Sequence, residues 1–255
     1  MGLLDDKKLL ITGVLTDDSL AFGVAKMAQE EGAEIALTGF GRAMRLTQRT
    51  ARKLDPVPEV LELDISDVDH RNALNQHLSS TWGRVDGALH SIGFAPEACL
   101  GDDFFAATWD DVSVAMEISS YSLRYLADIV TPLMSNGGSL VGLTFDATVA
   151  WPAYNWMGVA KAALESLNRY LARELGPQGI RSNLIAAGPM KTVAAKSIPG
   201  FQKFEDEWMK RAPLGWDVTD SSGVSKACVA LLSDLFPQTT GQMIYVDGGF
   251  SIVGA

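Results

Sequence analysis

Hydrophobic and polar positions along the chain follow two patterns. Short aliphatic runs recur from end to end, and amphipathic stretches separate most of them. This pattern is typical of a parallel sheet covered by helices on both faces. The predicted strands are residues 8–13, 34–38, 57–63, 84–90, 138–143, 180–186 and 242–246, and the predicted helices are 19–31, 42–54, 67–80, 109–133 and 155–175. The sequence therefore predicts an α/β fold with a doubly wound parallel sheet of about seven strands.

The chain of 255 residues has a normal length for one α/β domain, and no linker interrupts it. We therefore expect residues 1–255 to form a single Rossmann-type domain. Within it, residues 192–213 carry apolar side chains at three- and four-residue steps, namely Ile198, Phe201, Phe204, Trp208 and Met209. That spacing suits a small helical lid over a substrate and a helix that merely covers the core equally well.

The composition argues against two classes of binding partner. The net charge of −10 repels phosphate backbones and anionic lipids, so neither nucleic acid nor a membrane is an expected partner. The N-terminus is acidic and the apolar run 9–14 is too short to span a bilayer, so the cytoplasm is the expected location. The two cysteines and three histidines lack the spacing of a metal site, and we expect none.

The turn after the first predicted strand is the expected place for a dinucleotide pyrophosphate. It is not a G-x-G-x-x-G turn, because Ser19 and Ala21 stand where glycines would. Gly13 can form the tight turn, whereas Ser19 could simply cap the following helix. Asp64 and the segment Ser91-Ile92-Gly93 follow later strands, where adenine and ribose can rest. The order of these positions favours a nucleotide site.

The residues after the second strand leave the choice between NADH and NADPH open. Phe40-Gly41-Arg42 stands where many such folds have an Asp or Glu that binds the adenosine ribose. Phe40 could stack on the adenine. Arg42 and Arg45 could pair with a 2′-phosphate or could be ordinary solvated charges.

Tyr154 and Lys161 are the candidate catalytic pair. They are seven residues apart at the start of a predicted helix, so both lie on one helix face. A tyrosine hydroxyl normally titrates near pH ~10, and a neighbouring ammonium favours its phenolate and orients the group toward an oxyanion. This chemistry suits the reduction of a substrate whose double bond is conjugated to a carbonyl.

The segment Tyr154-Asn155-Trp156-Met157-Gly158-Val159-Ala160-Lys161 resembles the active-site helix of the enoyl-[acyl-carrier-protein] reductases of type II fatty acid synthesis, within the short-chain dehydrogenase/reductase superfamily. The resemblance covers essentially the whole chain. It extends through the Gly13 turn, His90-Ser91-Ile92-Gly93-Phe94, Arg181-Ser182-Asn183-Leu184, Ala187-Gly188-Pro189-Met190-Lys191-Thr192 and Val246-Asp247-Gly248-Gly249-Phe250.

The resemblance implies NADH as cofactor and a homotetramer. It also implies a cofactor pocket lined by Gly13, Ser19, Leu20, Asp64, Ile65, Ile92, Gly93, Lys161, Met190 and Thr192. To these we add Leu15 in the first turn and Phe40 and Ser91 at strand ends. Because Gly41 replaces the acid that subgroup members carry before the Arg, NADPH is not excluded.

Two differences between this sequence and related reductases narrow the expected reaction. Carbonyl-reducing relatives carry a Ser about a dozen residues before the Tyr, but Val141 and Gly142 occupy that region and favour C=C reduction. Phe145 resembles the isoniazid-target subgroup, in which a Phe stands near the nicotinamide. We list Phe145 with the catalytic candidates but prefer a pocket wall to direct participation. The lid is shorter than in that subgroup, so very long acyl chains are less expected substrates.

The sequence therefore predicts an NADH-dependent reductase of trans-2-enoyl thioesters carried by acyl carrier protein. Expected substrate contacts come from Phe94, Trp151, Tyr154, Met157 and Ile198. A basic patch of Lys196, Lys203, Lys210 and Arg211 could dock the acidic carrier or could be solvated surface. The alternatives are a 3-oxoacyl reductase, which reduces a carbonyl, and a non-catalytic dinucleotide sensor.

Overall fold

Seven parallel strands form one sheet at the centre of the computed structural model, which describes residues 2–193, 195 and 198–254. The strands are β1 Lys8–Ile11, β2 Glu34–Gly39, β3 Glu59–Glu62, β4 Gly87–His90, β5 Gly138–Thr144, β6 Ile180–Ala187 and β7 Met243–Val246. Their spatial order is β3-β2-β1-β4-β5-β6-β7. The predicted fold class is thus confirmed, and the order of strands reverses between β1 and β4, where such sheets open a ligand crevice.

Eight α-helices cover the two faces of the sheet in the described residues. They are α1 Leu20–Glu30, α2 Met44–Ala51, α3 Val68–Thr81, α4 Trp109–Met116, α5 Ser122–Val130, α6 Asn155–Leu175, α7 Phe201–Arg211 and α8 Ser222–Leu232. Alternate residues of β1 lie on opposite faces of the sheet. Leu9 and Ile11 pack with α1 and α8, whereas Leu10 packs with α3 and α5. This alternation is why the buried strands read as continuous apolar runs.

Three parts of the helical prediction differ from the structure. The predicted helix 109–133 is divided by a π-helical turn at Glu117–Tyr121, and the predicted helix 42–54 begins as a 3₁₀ turn at Gly41–Ala43. Helix α8 was not predicted at all, because its first residues, Ser222 and Gly223, are poor helix formers. Its burial against α1 stabilises it instead: a Cβ at Gly23 would lie 2.5 Å from Ser225 Oγ.

A search of the described residues finds no helix that is long and apolar enough to cross a membrane.

Candidate active site

The turn after β1 touches the loop after β4. Gly13 has φ +84°, and a Cβ there would lie 2.0 Å from the Ser91 carbonyl oxygen, so only glycine fits. Thr12 joins the same two segments. Its hydroxyl donates to the Leu89 carbonyl at 2.9 Å and accepts the Ser91 N–H at 3.1 Å. The floor of the crevice is therefore built from two candidate cofactor residues in close contact.

Ser19 closes the turn rather than capping α1. Its Oγ accepts the N–H groups of Leu15 at 3.1 Å and Thr16 at 3.0 Å, and it makes no capping bond to the helix. The interpretation of Ser19 as a plain helix cap is therefore wrong. The N–H groups of Leu20 and Ala21 find no acceptor in the described part of the chain. They are free to bind an anion such as a pyrophosphate.

The adenine side of the crevice lies beyond β2 and β3. Asp64 and Ile65 follow β3, and Phe40, which is 48% exposed, follows β2. Two neighbours on α3 hold the Asp64 segment: His70 Nδ1 accepts the Asp64 N–H at 3.0 Å, and Arg71 donates to the Ile65 carbonyl at 2.8 Å. Sequence reasoning missed both, because nothing in their local spacing points to this loop.

Lys161 lies on the other side of the crevice, beneath the loop after β4. A Cβ at Gly93 would stand 3.9 Å from Lys161 Nζ, which donates to the Leu143 carbonyl at 3.4 Å. Burial lowers the pKa of the Lys161 ammonium to about 8. Ile92 packs on the core beside this loop, and Met190, which is buried, and Thr192 follow β6 at the same edge of the sheet.

The π-helical turn supports the same loop. The sequence did not predict this turn. Ser119 Oγ accepts the Phe94 N–H at 2.8 Å and donates to the Phe94 carbonyl at 2.7 Å. Next to it, the buried His90 ring lies with Nε2 2.7 Å from Ser122 Oγ. Burial and the Lys161 charge lower the pKa of His90 to about 3, so His90 is neutral.

Tyr154 immediately precedes α6 and is only 6% exposed. Burial raises the pKa of its hydroxyl, and no opposing contribution comes from Lys161. The direction of this shift in the pKa of Tyr154 is opposite to the one that a neighbouring ammonium alone would give. Tyr154 is a neutral hydrogen-bond donor, which is the form needed to stabilise an oxyanion.

An aromatic cluster separates Tyr154 from α7. The Phe145 ring lies 5.2 Å from the Tyr154 ring and 5.3 Å from that of Trp151, and on its other side it contacts Phe204 and Trp208 of α7. Phe250 stacks on Trp208 within this cluster, and Ile198 and Phe201 pack against it. Phe145 thus packs within the aromatic cluster and does not line the cleft described below.

The remaining substrate candidates lie apart from the cluster. Phe94 is 55% exposed, and Met157 is half-buried on α6 without joining the cluster. Met209 also differs from its expected place on the apolar face of the lid, because it is 57% exposed.

A cleft of about 440 Å³ opens between α7 and the loop 151–153. Trp151, Phe204 and Trp208 give it an apolar wall, and Lys203 lies at its rim. Lys203 and Lys210 are exposed, whereas Arg211 is held by Glu207 and by two C-terminal carbonyls. The fourth member of the predicted basic patch, Lys196, lies outside the described residues.

A doubly wound sheet with two unbonded N–H groups after its first strand, and with a buried tyrosine and a buried lysine at the start of α6, is typical of a nicotinamide-dependent oxidoreductase. Comparison with known proteins is more specific. The family described as "Enoyl-(Acyl carrier protein) reductase" matches residues 13–251. The chain belongs to this family, as the sequence motifs indicated.

Full-length relatives carry the same description. A protein of Mycolicibacterium smegmatis named enoyl-[acyl-carrier-protein] reductase [NADH] is 48% identical, over 98% of both chains. A Mycobacterium avium protein of that name is 46% identical, also over 98% of both. A Neisseria meningitidis enoyl-[acyl-carrier-protein] reductase [NADH] is 41% identical over 99% of this chain and 97% of its own.

Proposed function

We propose that this protein reduces the trans-2 double bond of enoyl thioesters bound to acyl carrier protein, with NADH as reductant. The observation that carries the proposal is the pair of buried groups Tyr154 and Lys161 at the start of α6, with an aromatic cluster packed against the Tyr154 ring. The names of the full-length relatives support both the reaction and the cofactor.

Tyr154 acts on the thioester oxygen of the substrate. NADH, when bound, supplies the hydride that adds to the β-carbon. Negative charge then develops on the thioester oxygen, and the Tyr154 hydroxyl donates a hydrogen bond to it. Because the site is buried and apolar around this hydroxyl, the bond is stronger than it would be in water. Tyr154 or water afterwards protonates the α-carbon.

Lys161 holds the nicotinamide ribose and keeps the local field positive. Its Nζ lies against the loop containing Gly93 and is bound to the carbonyl of Leu143 at the end of β5. These contacts set the ammonium between the sheet edge and the loop after β4. Loss of its charge would weaken cofactor binding and the stabilisation of the oxyanion together.

The acyl chain occupies the cleft beside α7, and the segment 192–213, which contains α7, acts as the substrate lid. Support comes from Trp151 and Phe204, which line the cleft, and from Ile198, which packs at the edge of the same cluster. The volume of the cleft suits a medium-length acyl chain better than a very long one. Phe94 and Met157 do not line this cleft.

Acyl carrier protein docks at the exposed lysines of α7. Charge reversal at Lys203 and Lys210 should raise KM for the carrier-bound substrate and leave KM for the matching coenzyme A thioester unchanged. Reversal at Lys26, an exposed lysine on α1, is the control. An equal effect on both substrates would refute docking at α7.

The primary test follows the absorbance of the reduced nicotinamide with a medium-chain trans-2-enoyl thioester and, in parallel, a 3-oxoacyl thioester. Oxidation with the enoyl compound alone supports the proposal. Turnover with the 3-oxo compound alone would favour carbonyl reduction, although Val141 is fully buried in β5 and offers no second donor. Binding of NADH without turnover of either would favour a sensor.

We also propose a cytoplasmic homotetramer of this single-domain chain. Exposed aromatic side chains on the packed helices α4 and α6 support subunit contacts, with Trp109 75% and Tyr170 60% exposed. Light scattering should give four times the chain mass of 27.4 kDa. A monomer mass at micromolar concentration would contradict this assembly.

A further inference from the structure

We infer that Asn155 is a positioning residue, which fixes the direction of the Tyr154 side chain by tying the backbone around it to residues 101–104, here called the clamp loop. This inference rests on the proposed function, because Asn155 acts through the same tyrosine. The clamp loop precedes α4 and is far from Tyr154 along the chain. It nevertheless contacts the residues on both sides of Tyr154.

The backbone on both sides of Tyr154 has an unfavourable conformation. Ala153 has φ +59° and Asn155 has φ +48°. In the described part of the chain, Asp6 is the other residue besides glycine with a positive φ. This left-handed region costs energy for a residue with a Cβ, and such a conformation persists only where the surrounding structure imposes it. Contacts from outside the turn must therefore hold it.

The clamp loop supplies these contacts. The Gly101 N–H donates to the Ala153 carbonyl at 2.9 Å. The side-chain amide of Asn155 donates to the Asp103 carbonyl at 3.0 Å and to the Gly101 carbonyl at 3.4 Å. One short loop thus binds the residue before the tyrosine and the residue after it.

Trp156, the next residue of α6, adds to this attachment. Its ring stacks on that of Phe104, with 4.7 Å between the centroids and 13° between the planes. Its Nε1–H donates to the Phe104 carbonyl at 3.0 Å. These contacts hold the first turn of α6 against the clamp loop, so the backbone of Asn155 cannot rotate without breaking them.

The φ of Asn155 sets where Tyr154 lies relative to α6. Asn155 is the first residue of α6, and Lys161 lies on the same helix. A rotation about this torsion therefore moves the Tyr154 ring relative to Lys161 and away from its edge contact with Phe145, which is 5.2 Å between centroids. A displacement of about 1 Å in a positioned group can lower the rate by about 10²-fold.

Asparagine meets two requirements at position 155 that few residues combine. Its short polar side chain tolerates a positive φ, and its amide supplies two N–H donors for two carbonyl oxygens. Glycine adopts the same φ but has no side chain, and aspartate tolerates the φ but presents only acceptors to the two carbonyls. Both substitutions therefore keep the backbone conformation accessible and remove the bonds to the clamp loop.

The kinetic test compares Asn155→Gly and Asn155→Asp, each alone and combined with Tyr154→Phe. Each single variant should lower kcat with the enoyl thioester by about tenfold or more, with Kd for NADH unchanged. Because Asn155 acts through the Tyr154 hydroxyl, neither variant should lower kcat further in the Tyr154→Phe protein. An unchanged kcat in the single variants would overturn the inference, and so would the same fractional loss in both backgrounds.

Two further variants separate positioning from stability. Asn75→Ala removes another amide-to-carbonyl bond, from Asn75 Nδ2 to the Ile129 carbonyl at 2.7 Å, and should lower Tm without changing kcat. Trp156→Phe keeps a ring to stack on Phe104 but removes the Nε1–H. It should lower kcat less than Asn155→Gly, with the same dependence on the Tyr154 hydroxyl, and it serves if the Asn155 variants fold poorly.

The position of the tyrosine can also be measured without turnover. The chain has five tyrosines, so protein labelled with 3-fluorotyrosine gives one fluorine NMR signal for each, and Tyr154→Phe identifies the signal of Tyr154. Asn155→Gly should shift or broaden that signal, whereas Asn75→Ala should leave it in place. An unchanged Tyr154 signal in Asn155→Gly would overturn the inference. A shifted signal in a protein that does not reduce enoyl thioesters would count against the proposed reaction and not against this role of Asn155.

Discussion

Replacing Tyr154 by Phe removes one hydroxyl and little else. The ring would keep its edge contact with Phe145, at 5.2 Å between centroids. In the described part of the chain the Tyr154 hydroxyl makes no hydrogen bond to protein, so its loss leaves no protein donor or acceptor unsatisfied. We therefore expect the free energy of unfolding to change by less than about 1 kcal/mol.

The effect on catalysis should be much larger. The hydroxyl is neutral because burial raises its pKa, so it is present as a donor throughout the neutral pH range. Loss of one donor to a developing oxyanion typically lowers kcat by about 10²–10³, or about 3 to 4 kcal/mol. The separation between a small change in stability and a large change in kcat is the signature of the assigned role.

The assay compares kcat for the enoyl thioester with thermal unfolding and with NADH affinity, for Tyr154→Phe and for Tyr170→Phe. Tyr170 lies on the same helix but is 60% exposed, and its replacement should change neither kcat nor NADH affinity. If Tyr154→Phe kept kcat within about threefold of the wild type, another group must stabilise the oxyanion. If it lost kcat only in proportion to folded protein, the tyrosine would be structural.

Three further predictions concern the crevice. Because burial lowers the pKa of Lys161 to about 8, its ammonium is present below that pH and lost above it. Hence kcat/KM for NADH should fall by about tenfold from pH 7 to pH 9, and a flat profile would contradict this. Gly13→Ala should destabilise the protein by more than about 2 kcal/mol in urea unfolding, because its Cβ would lie 2.0 Å from a carbonyl oxygen. Gly176→Ala, with nothing within 4 Å and an ordinary φ, should not. Ser19→Ala removes the acceptor of two turn N–H groups and should raise Kd for NADH by about tenfold in calorimetry, with kcat at saturation retained. An unchanged Kd would show that the turn holds its shape without Ser19.

Several features follow from the sequence because they depend on local periodicity. Helix 155–175 has the predicted bounds, and all seven strands lie where aliphatic runs occur. Lys161 lies on the predicted helix and Tyr154 immediately precedes its first residue, and parallel strands bring the candidate cofactor residues to one edge of the sheet. The short-range pattern of the sequence is sufficient to predict these features.

Other features depend on contacts between residues far apart in the chain. The pKa of Tyr154 reflects burial by the surrounding structure and reverses the expectation from its nearness to Lys161. Phe145 and Trp208 meet only because α7 folds over the end of β5. The His70 bond to Asp64, the π-helical turn and the role of Ser19 likewise depend on which groups the fold brings within hydrogen-bonding distance. The sequence thus determined the framework and the chemical groups, whereas the tertiary structure decided their protonation, their partners and the shape of the cleft, because burial and long-range contacts exist only once the chain has packed.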